Sequence, residues 1–253
     1  MNVWLLIGIA WAAMIVVMAA LWLVQRRTHN AGIVDIGWSF GAAVCAGWFA
    51  WGVDGDVTRR ILVASIAGLW GLKLGVYLTQ RILDGKEDAR YASMRERWGD
   101  KTQRYMFVIF QVHAFWAVLF ALPMLLAASN PDEGLRWNDW LGLLLWAVSM
   151  AGTFISDQQL QKFRIDPENK GLVCRRGLWK FSRHPNYFFE WFHWWAYVAI
   201  GFAGSLGWLT LLGPAVMLFF LRKVTGSPIT ERRLVESRGE RYRRFQRTTS
   251  AFV

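Results

Sequence analysis

Residues 177–190 (GLWKFSRHPNYFFE) bring a guanidinium, an imidazole, an amide, a phenol and a carboxylate into one short run. Arg183 can pair with a phosphate through a fork of N–H donors, and Asn186 and Tyr187 can donate or accept hydrogen bonds. Glu190 lies one turn into an apolar segment, where an unpaired carboxylate would cost free energy. These residue types and their spacing predict a polar, phosphate-bearing ligand held at the mouth of a helix bundle.

Further polar side chains fall inside long apolar stretches or at their ends, namely Asp35, Lys73, Tyr77, His113, Asp157 and His193. Ionisable groups in membrane spans usually face the bundle interior or a watery cavity, which makes them functional candidates. Structural explanations stay open for some of them. Asp35 and Lys73 could form an ion pair between neighbouring helices, and His113 could tie two helices together by a hydrogen bond.

The elements that must position these residues are membrane helices. The chain has 253 residues, of which 55% are hydrophobic, with 17 Trp and 17 Phe, and a soluble domain would be less apolar. Most of its apolar segments approach the roughly 20 residues that cross a bilayer as a helix. The segments lie near 2–24, 31–52, 61–80, 106–128, 139–156, 187–203 and 206–221. We expect an all-α integral membrane protein with about seven transmembrane helices, or six if the last two segments form one re-entrant hairpin.

Lys and Arg are distributed unevenly among the predicted loops. Residues 25–30, 81–104 and 157–186 and the tail from Arg222 together hold 25 of the 29. The positive-inside rule then predicts an outside N-terminus and a cytoplasmic C-terminus. Because the charges lie in short loops between membrane helices, we expect contact with an anionic lipid bilayer and no nucleic-acid partner.

The sequence predicts a single polytopic membrane domain over residues 1–253. Cytoplasmic loops 81–105 and 157–187 and a C-terminal tail at 222–253 would cover the ligand site. No GxGxxG follows a strand and no GxxxxGK[ST] occurs, so a nucleotide would be bound without a Rossmann fold or a P-loop. The two cysteines and the histidines show no metal-ligand spacing.

The run at 177–190, with GERYRRF at 239–245 and TTSAF at 248–252, resembles the C-terminal half of bacterial proteins related to steroid 5α-reductase. The wider group includes the sterol reductases. The spacing from Asp157 to Arg164 is similar to that family's spacing, and VDIGW at 34–38 and EDARY at 87–91 extend the resemblance into the N-terminal half.

The resemblance implies that NADPH is bound from the cytoplasmic side and that a carbon–carbon double bond conjugated to a ketone is reduced, as in 3-oxo-Δ4-steroids. A hydrophobic small molecule is then the substrate, and the bacterial inner membrane the expected location. The residues that would contact the cofactor are Lys73, Arg90, Tyr91, Asp157, Arg164, Arg183, His184, Asn186, Tyr187, Glu190, Trp194, Arg222 and Glu231. The catalytic residues would be Asp35, Tyr77 and Trp70.

Asp35 occupies the second-helix position where, by the same resemblance, an acidic group faces the substrate ketone. Hydride addition to an enone places negative charge on the ketone oxygen, and a positioned acid stabilises that charge. Because desolvation disfavours the ionised form of a carboxyl group, we expect Asp35 to stay protonated at neutral pH and to donate to the ketone.

The chain departs from the family pattern at three places. The third-helix tyrosine that assists the ketone in the animal enzymes has no clear counterpart, and Trp70 falls near its place. Phe189 stands where a glycine usually precedes Glu190, which would crowd the cofactor, and Leu172 stands where related sequences often have Arg. A phosphate contact would then be missing or supplied by Lys170 or Arg175.

Two other classes of function stay open. Membrane methyltransferases that use S-adenosylmethionine to modify a lipid or isoprenylcysteine look similar around the Arg-His-Pro-x-Tyr segment and its following Glu190. A lipid-binding or scaffold protein without chemistry is the third hypothesis. The physiological substrate, the stereochemistry of reduction and the oligomeric state are not given by the sequence.

Overall fold

The computed structural model describes residues 1–83 and 87–252, apart from the Ala89 side chain. Within these ranges the chain forms helices and no strand, and its one isolated β-bridge joins Ser182 to Ser250. The α-helices are α1 (Val3–Thr28), α2 (Ile33–Gly52), α3 (Val57–Leu83), α4 (Ala89–Trp98), α5 (Thr102–Ala128), α6 (Trp137–Ile165), α7 (Pro185–Phe192), α8 (Trp194–Gly201), α9 (Leu212–Phe219), α10 (Ser227–Arg238) and α11 (Glu240–Thr248).

Six helical stretches in the described ranges are long and apolar enough to cross a membrane. They are Val3–Thr28, Ile33–Gly52, Val57–Leu83, Arg90–Ala128, Trp137–Ile165 and Gly207–Arg238. The all-α membrane class is therefore confirmed. The apolar segment near 187–203 falls on α7 and α8, which have eight residues each, well short of the roughly 20 that a spanning helix needs. The sidedness of the two termini stays a prediction.

The chain divides into two compact units. Unit 1 comprises residues 1–135 and 201–210, and unit 2 comprises residues 136–200 and 211–253. The sequence predicts one polytopic domain.

Small residues let the helices of unit 1 approach closely. A Cβ added at Gly71 would lie 2.4 Å from the Ala43 methyl, and one at Gly75 would lie 2.4 Å from the Phe40 ring. Such spacing of small residues at i and i+4 is typical of close helix packing in membranes. It holds α3 against α2 and so fixes the end of α2 that carries Asp35.

Arg59, one of the few cations outside the Arg-rich loops, is fully buried in unit 1. Its Nη1 donates to the carbonyl oxygens of Asn130 (3.0 Å) and Asp132 (2.7 Å), and its Nη2 donates to that of Gly134 (2.8 Å). A buried guanidinium is tolerated when its donors are satisfied. Arg59 therefore holds the backbone of the segment after α5 in place through these three hydrogen bonds.

In unit 2, α6 packs along α7 and α8. A Cβ at Gly142 would lie 2.5 Å from the Ile200 side chain and 2.8 Å from the Ala196 carbonyl oxygen. The last apolar stretch contains a π-helical turn at Phe220–Val224 between α9 and α10. Single π turns within helices are frequent at functional sites, and this one carries Arg222.

Candidate functional site

Unit 1 places Asp35 at the centre of a polar cluster. The carboxylate lies in the first turn of α2, where the helix dipole favours negative charge. Its Oδ2 accepts from Arg90 Nη2 at 2.8 Å, and its Oδ1 accepts from the Tyr91 hydroxyl at 2.9 Å. Two residues predicted to contact the cofactor, Arg90 and Tyr91, therefore contact the predicted catalytic carboxylate.

This geometry corrects the expected chemistry of Asp35. A guanidinium at 2.8 Å and a donating phenol both stabilise the ionised carboxylate rather than the neutral acid. Asp35 is therefore an ion-paired acceptor here, and the groups able to donate to a substrate oxygen are its neighbours. The prediction considered desolvation alone, since nothing in the spacing revealed that Arg90 lies beside Asp35.

Asp88 is a member of this cluster that sequence reasoning missed. It caps the N-terminus of α4 by accepting from Arg90 N at 2.9 Å, and it also accepts from Arg90 Nε at 3.1 Å and Arg81 Nη2 at 2.6 Å. Burial acts to raise the pKa of Asp88, but the hydrogen bonds and charge of Arg90, helped by the charge of Arg81, lower it to about 2. Asp88 thus stays ionised and holds Arg90 in place. An Asp directly before a helix is a common cap, which is the signal that could have found it.

A second network fixes α4 against the turn between α1 and α2. Glu87 accepts from the backbone N–H of Ala31 at 2.8 Å and from Arg95 at 3.0 Å, and Arg95 also donates to the Gln25 side chain at 3.0 Å. Gln25 is fully buried, so its polar atoms need such partners. This network orients Arg90 and Tyr91 toward α2.

A small cleft opens at the Asp35 cluster. It is lined by Gly32, Asp35, Leu78, Arg81, Ile82 and Asp88. The two other residues predicted to be catalytic do not line it. Trp70 is fully buried with its ring edge-on to Trp38 at 6.0 Å, and Tyr77 is 45% exposed. Lys73, predicted to contact the cofactor, is half-buried on the same helix.

Unit 2 joins the Arg-His-Pro-Asn-Tyr motif to the C-terminal tail. Arg183 Nε donates to Glu231 at 2.7 Å, and its Nη1 donates to the carbonyl oxygens of Gln246 (3.0 Å) and Thr249 (2.5 Å). Its backbone N–H donates to the Ser250 carbonyl oxygen at 2.9 Å. The predicted phosphate ligand Arg183 is therefore bound to acceptors of the chain itself.

His184 and Tyr187 support the same junction. His184 Nε2 lies 3.0 Å from Glu231 Oε1, and the His184 ring stacks on that of Tyr187 with centroids 5.2 Å apart. The Tyr187 hydroxyl lies 3.1 Å from that of Thr230. These contacts join α7 to α10 through residues that the motif placed at a ligand.

Two of the predicted cofactor residues meet at the start of α7. Asn186 Nδ2 donates to Asp157 Oδ1 at 3.1 Å, which ties α7 to α6. Glu190 lies one turn further along α7 and is half-buried, while Trp194 is fully buried at the start of α8. Arg164, two turns beyond Asp157 on α6, is exposed. The structure thus brings together a carboxylate and an amide that the family resemblance assigns to the cofactor.

Arg222 and the chain end form an aromatic contact in unit 2. The guanidinium carbon of Arg222 lies 5.6 Å from the centroid of the Phe252 ring, a cation–π distance. Phe252 is buried, with the rings of Phe188 and Trp191 each 6.2 Å away. The Thr-Thr-Ser-Ala-Phe ending therefore packs onto α7.

The Phe189 ring packs against Gly152 of α6. A Cβ added at Gly152 would lie 2.3 Å from the Phe189 ring, closer than atoms can approach. The bulky residue in place of the family's glycine is thus matched by a glycine on the facing helix.

We expect Gly152→Ala to destabilise the protein by about 1–3 kcal/mol, because the added methyl overpacks the contact with Phe189. Combined with Phe189→Ala, the loss should be smaller than the sum of the two single losses. Thermal unfolding midpoints in detergent measure this. Gly47→Ala is the control, since a Cβ at Gly47 meets nothing within 4 Å. Additive losses would contradict the contact.

Comparison with known proteins gives one family match. The family model described as "Protein of unknown function (DUF1295)" matches residues 21–249. No curated protein and no solved structure matches the chain.

Proposed function

The chain belongs to the DUF1295 family, and we propose that it is an NADPH-dependent membrane reductase. The substrate we propose is a hydrophobic enone, such as a 3-oxo-Δ4-steroid, whose carbon–carbon double bond is reduced. One observation carries the proposal: Asn186 donates to Asp157 at 3.1 Å, which puts side by side two residues that the family resemblance assigns to the cofactor.

The polar groups of unit 2 fit the chemistry of NADPH. Asp157 and Glu190 carry carboxylate groups of the kind that accept from ribose hydroxyls, and Asn186 carries an amide that can both donate and accept. Arg164 is exposed and makes no hydrogen bond or ion pair within the described residues, so its forked donors are available for a phosphate. Arg183 and His184 bind Glu231, and we assign them the task of holding α7.

The Asp35 cluster supplies the electrostatics of the reaction. NADPH, when bound, supplies the hydride. As the hydride adds to the β-carbon, negative charge develops on the substrate oxygen, and fixed donors aimed at that oxygen stabilise it. Arg90 is such a donor, and Asp35 and Asp88 hold it in place. Leu78 and Ile82 give the cleft apolar sides suited to a lipid-like substrate.

Nucleotide titration tests the proposal. Quenching of the 17 Trp by energy transfer should report reduced nicotinamide, and we expect NADPH to bind more tightly than NADH or S-adenosylmethionine. Addition of a 3-oxo-Δ4-steroid should then oxidise NADPH. Binding of S-adenosylmethionine alone would instead support a methyltransferase, and retention of lipid without any nucleotide would support a binding protein.

Arg164→Gln sharpens this test. We expect it to weaken NADPH binding about tenfold or more, the worth of a charge-assisted hydrogen bond, while NADH binding is unchanged because NADH lacks the 2′-phosphate. Arg97→Gln, at an exposed site on α4, is the matched control. Equal weakening of both nucleotides would refute a contact between Arg164 and the 2′-phosphate.

A further inference from the structure

His113 is fixed in orientation by its own helix. On α5, its Nδ1 lies 2.8 Å from the Ile109 carbonyl oxygen. Because a carbonyl oxygen can only accept, Nδ1 carries the hydrogen of this bond. Exchange of a proton with any other molecule is therefore left to Nε2.

Nε2 faces Asp35 without bonding to it. It lies 3.7 Å from Asp35 Oδ1, which is too long for a hydrogen bond but close enough for the carboxylate to attract a protonated imidazole. The two oxygens of Asp35 already accept from Tyr91 and Arg90. His113 thus has its Nε2 turned toward the carboxylate of Asp35, outside hydrogen-bond distance.

Charged groups lie next to His113. The ionisable groups of the cluster that face it are Asp35 from α2 and, bound to Asp35, Arg90 and Tyr91 from α4. Arg90 is also paired with Asp88. Both partners can be reached, since the side chains of His113 and Asp35 are 24% and 21% exposed.

We propose that His113 is the general acid of the reduction, which rests on the proposed function. The β-carbon receives the hydride from the nicotinamide, and the electron pair of the carbon–carbon double bond moves toward the ketone oxygen. The resulting enolate takes the proton from His113 Nε2, and the enol then tautomerises to the saturated ketone. Neutral His113 regains its proton from water, and Asp35 acts as its positioning residue.

His113→Asn tests the assignment. The amide N–H of asparagine can donate to the Ile109 carbonyl oxygen as Nδ1 does. The substitution removes Nε2. We expect the kcat of enone reduction to fall about 10²–10⁴-fold, the usual contribution of a general acid, with little change in KM or in NADPH binding. His29→Asn is the control, at an exposed cap of α1 with φ 52°, where Asn is tolerated.

A second readout separates this inference from the proposed function. The infrared carbonyl stretch of a bound 3-oxo-Δ4-steroid should shift to lower frequency in the wild type and return toward its free value in His113→Asn. Wild-type turnover by His113→Asn, or a carbonyl shift that does not depend on His113, overturns the inference and leaves the reductase standing. A protein that neither binds nor oxidises NADPH overturns both.

Discussion

Asp35→Asn lowers the kcat of enone reduction by about 10²–10³-fold, the usual effect of removing one electrostatic contact from a reacting centre, and leaves NADPH binding unchanged. Asparagine has nearly the same shape as aspartate, so the cleft is kept. The change removes the negative charge that holds Arg90 at 2.8 Å and that faces His113 at 3.7 Å. It also places an amide where Tyr91 donates its hydroxyl.

The asparagine variant distinguishes two roles for Asp35. A neutral carboxylic acid that donates to the ketone, as the sequence alone predicts, would be replaced in part by the N–H of asparagine, and much activity would remain. An ionised carboxylate that orients its neighbours has no such substitute. Asp35→Ala should abolish turnover in either case.

Steady-state kinetics and the tryptophan titration measure these outcomes together. Asp54→Asn is the matched control, because the Asp54 side chain is 96% exposed. Near wild-type turnover in Asp35→Ala would remove Asp35 from the mechanism altogether.

How well the sequence predicts a feature of the site depends on how far apart in the chain the interacting residues lie. Apolar segment length predicts the membrane class, because a bilayer imposes its thickness on any spanning helix. The family resemblance implies that Asp157 and Asn186 both contact the cofactor, and the two side chains are in contact. Segment length and motif residues are both signals that short stretches of sequence carry.

Long-range partners have no such signal. Arg183 has the residue type of a phosphate ligand, yet its acceptors lie 48 to 66 residues away in the chain, where no spacing rule applies. The charge state of Asp35 likewise depends on Arg90, 55 residues away. The residue type determines which interactions a side chain can make. The tertiary packing determines which partner it binds.

Arg183→Met should lower the free energy of unfolding by about 3–5 kcal/mol, the usual loss when one partner of a buried ion pair is removed. The Arg183 and Glu231 side chains are only 13% and 17% exposed, so water screens them little. The change also leaves the carbonyl oxygens of Gln246 and Thr249 without their donor. Unfolding in detergent micelles, followed by thermal midpoint, measures the loss.

A double-mutant cycle assigns this loss to the pair. Glu231→Gln removes the charge that Arg183→Met leaves without its guanidinium partner, so the double variant should lose less than the two single variants combined. Arg247→Met is the control, because Arg247 and its partner Glu240 form an exposed ion pair of the kind that contributes little. If Arg183 serves a phosphate instead, Arg183→Met will weaken NADPH binding and leave the unfolding midpoint unchanged. The contacts with Glu231 and the tail favour the first result, since a guanidinium already bound to three acceptors of the chain has a structural task whether or not a ligand is present.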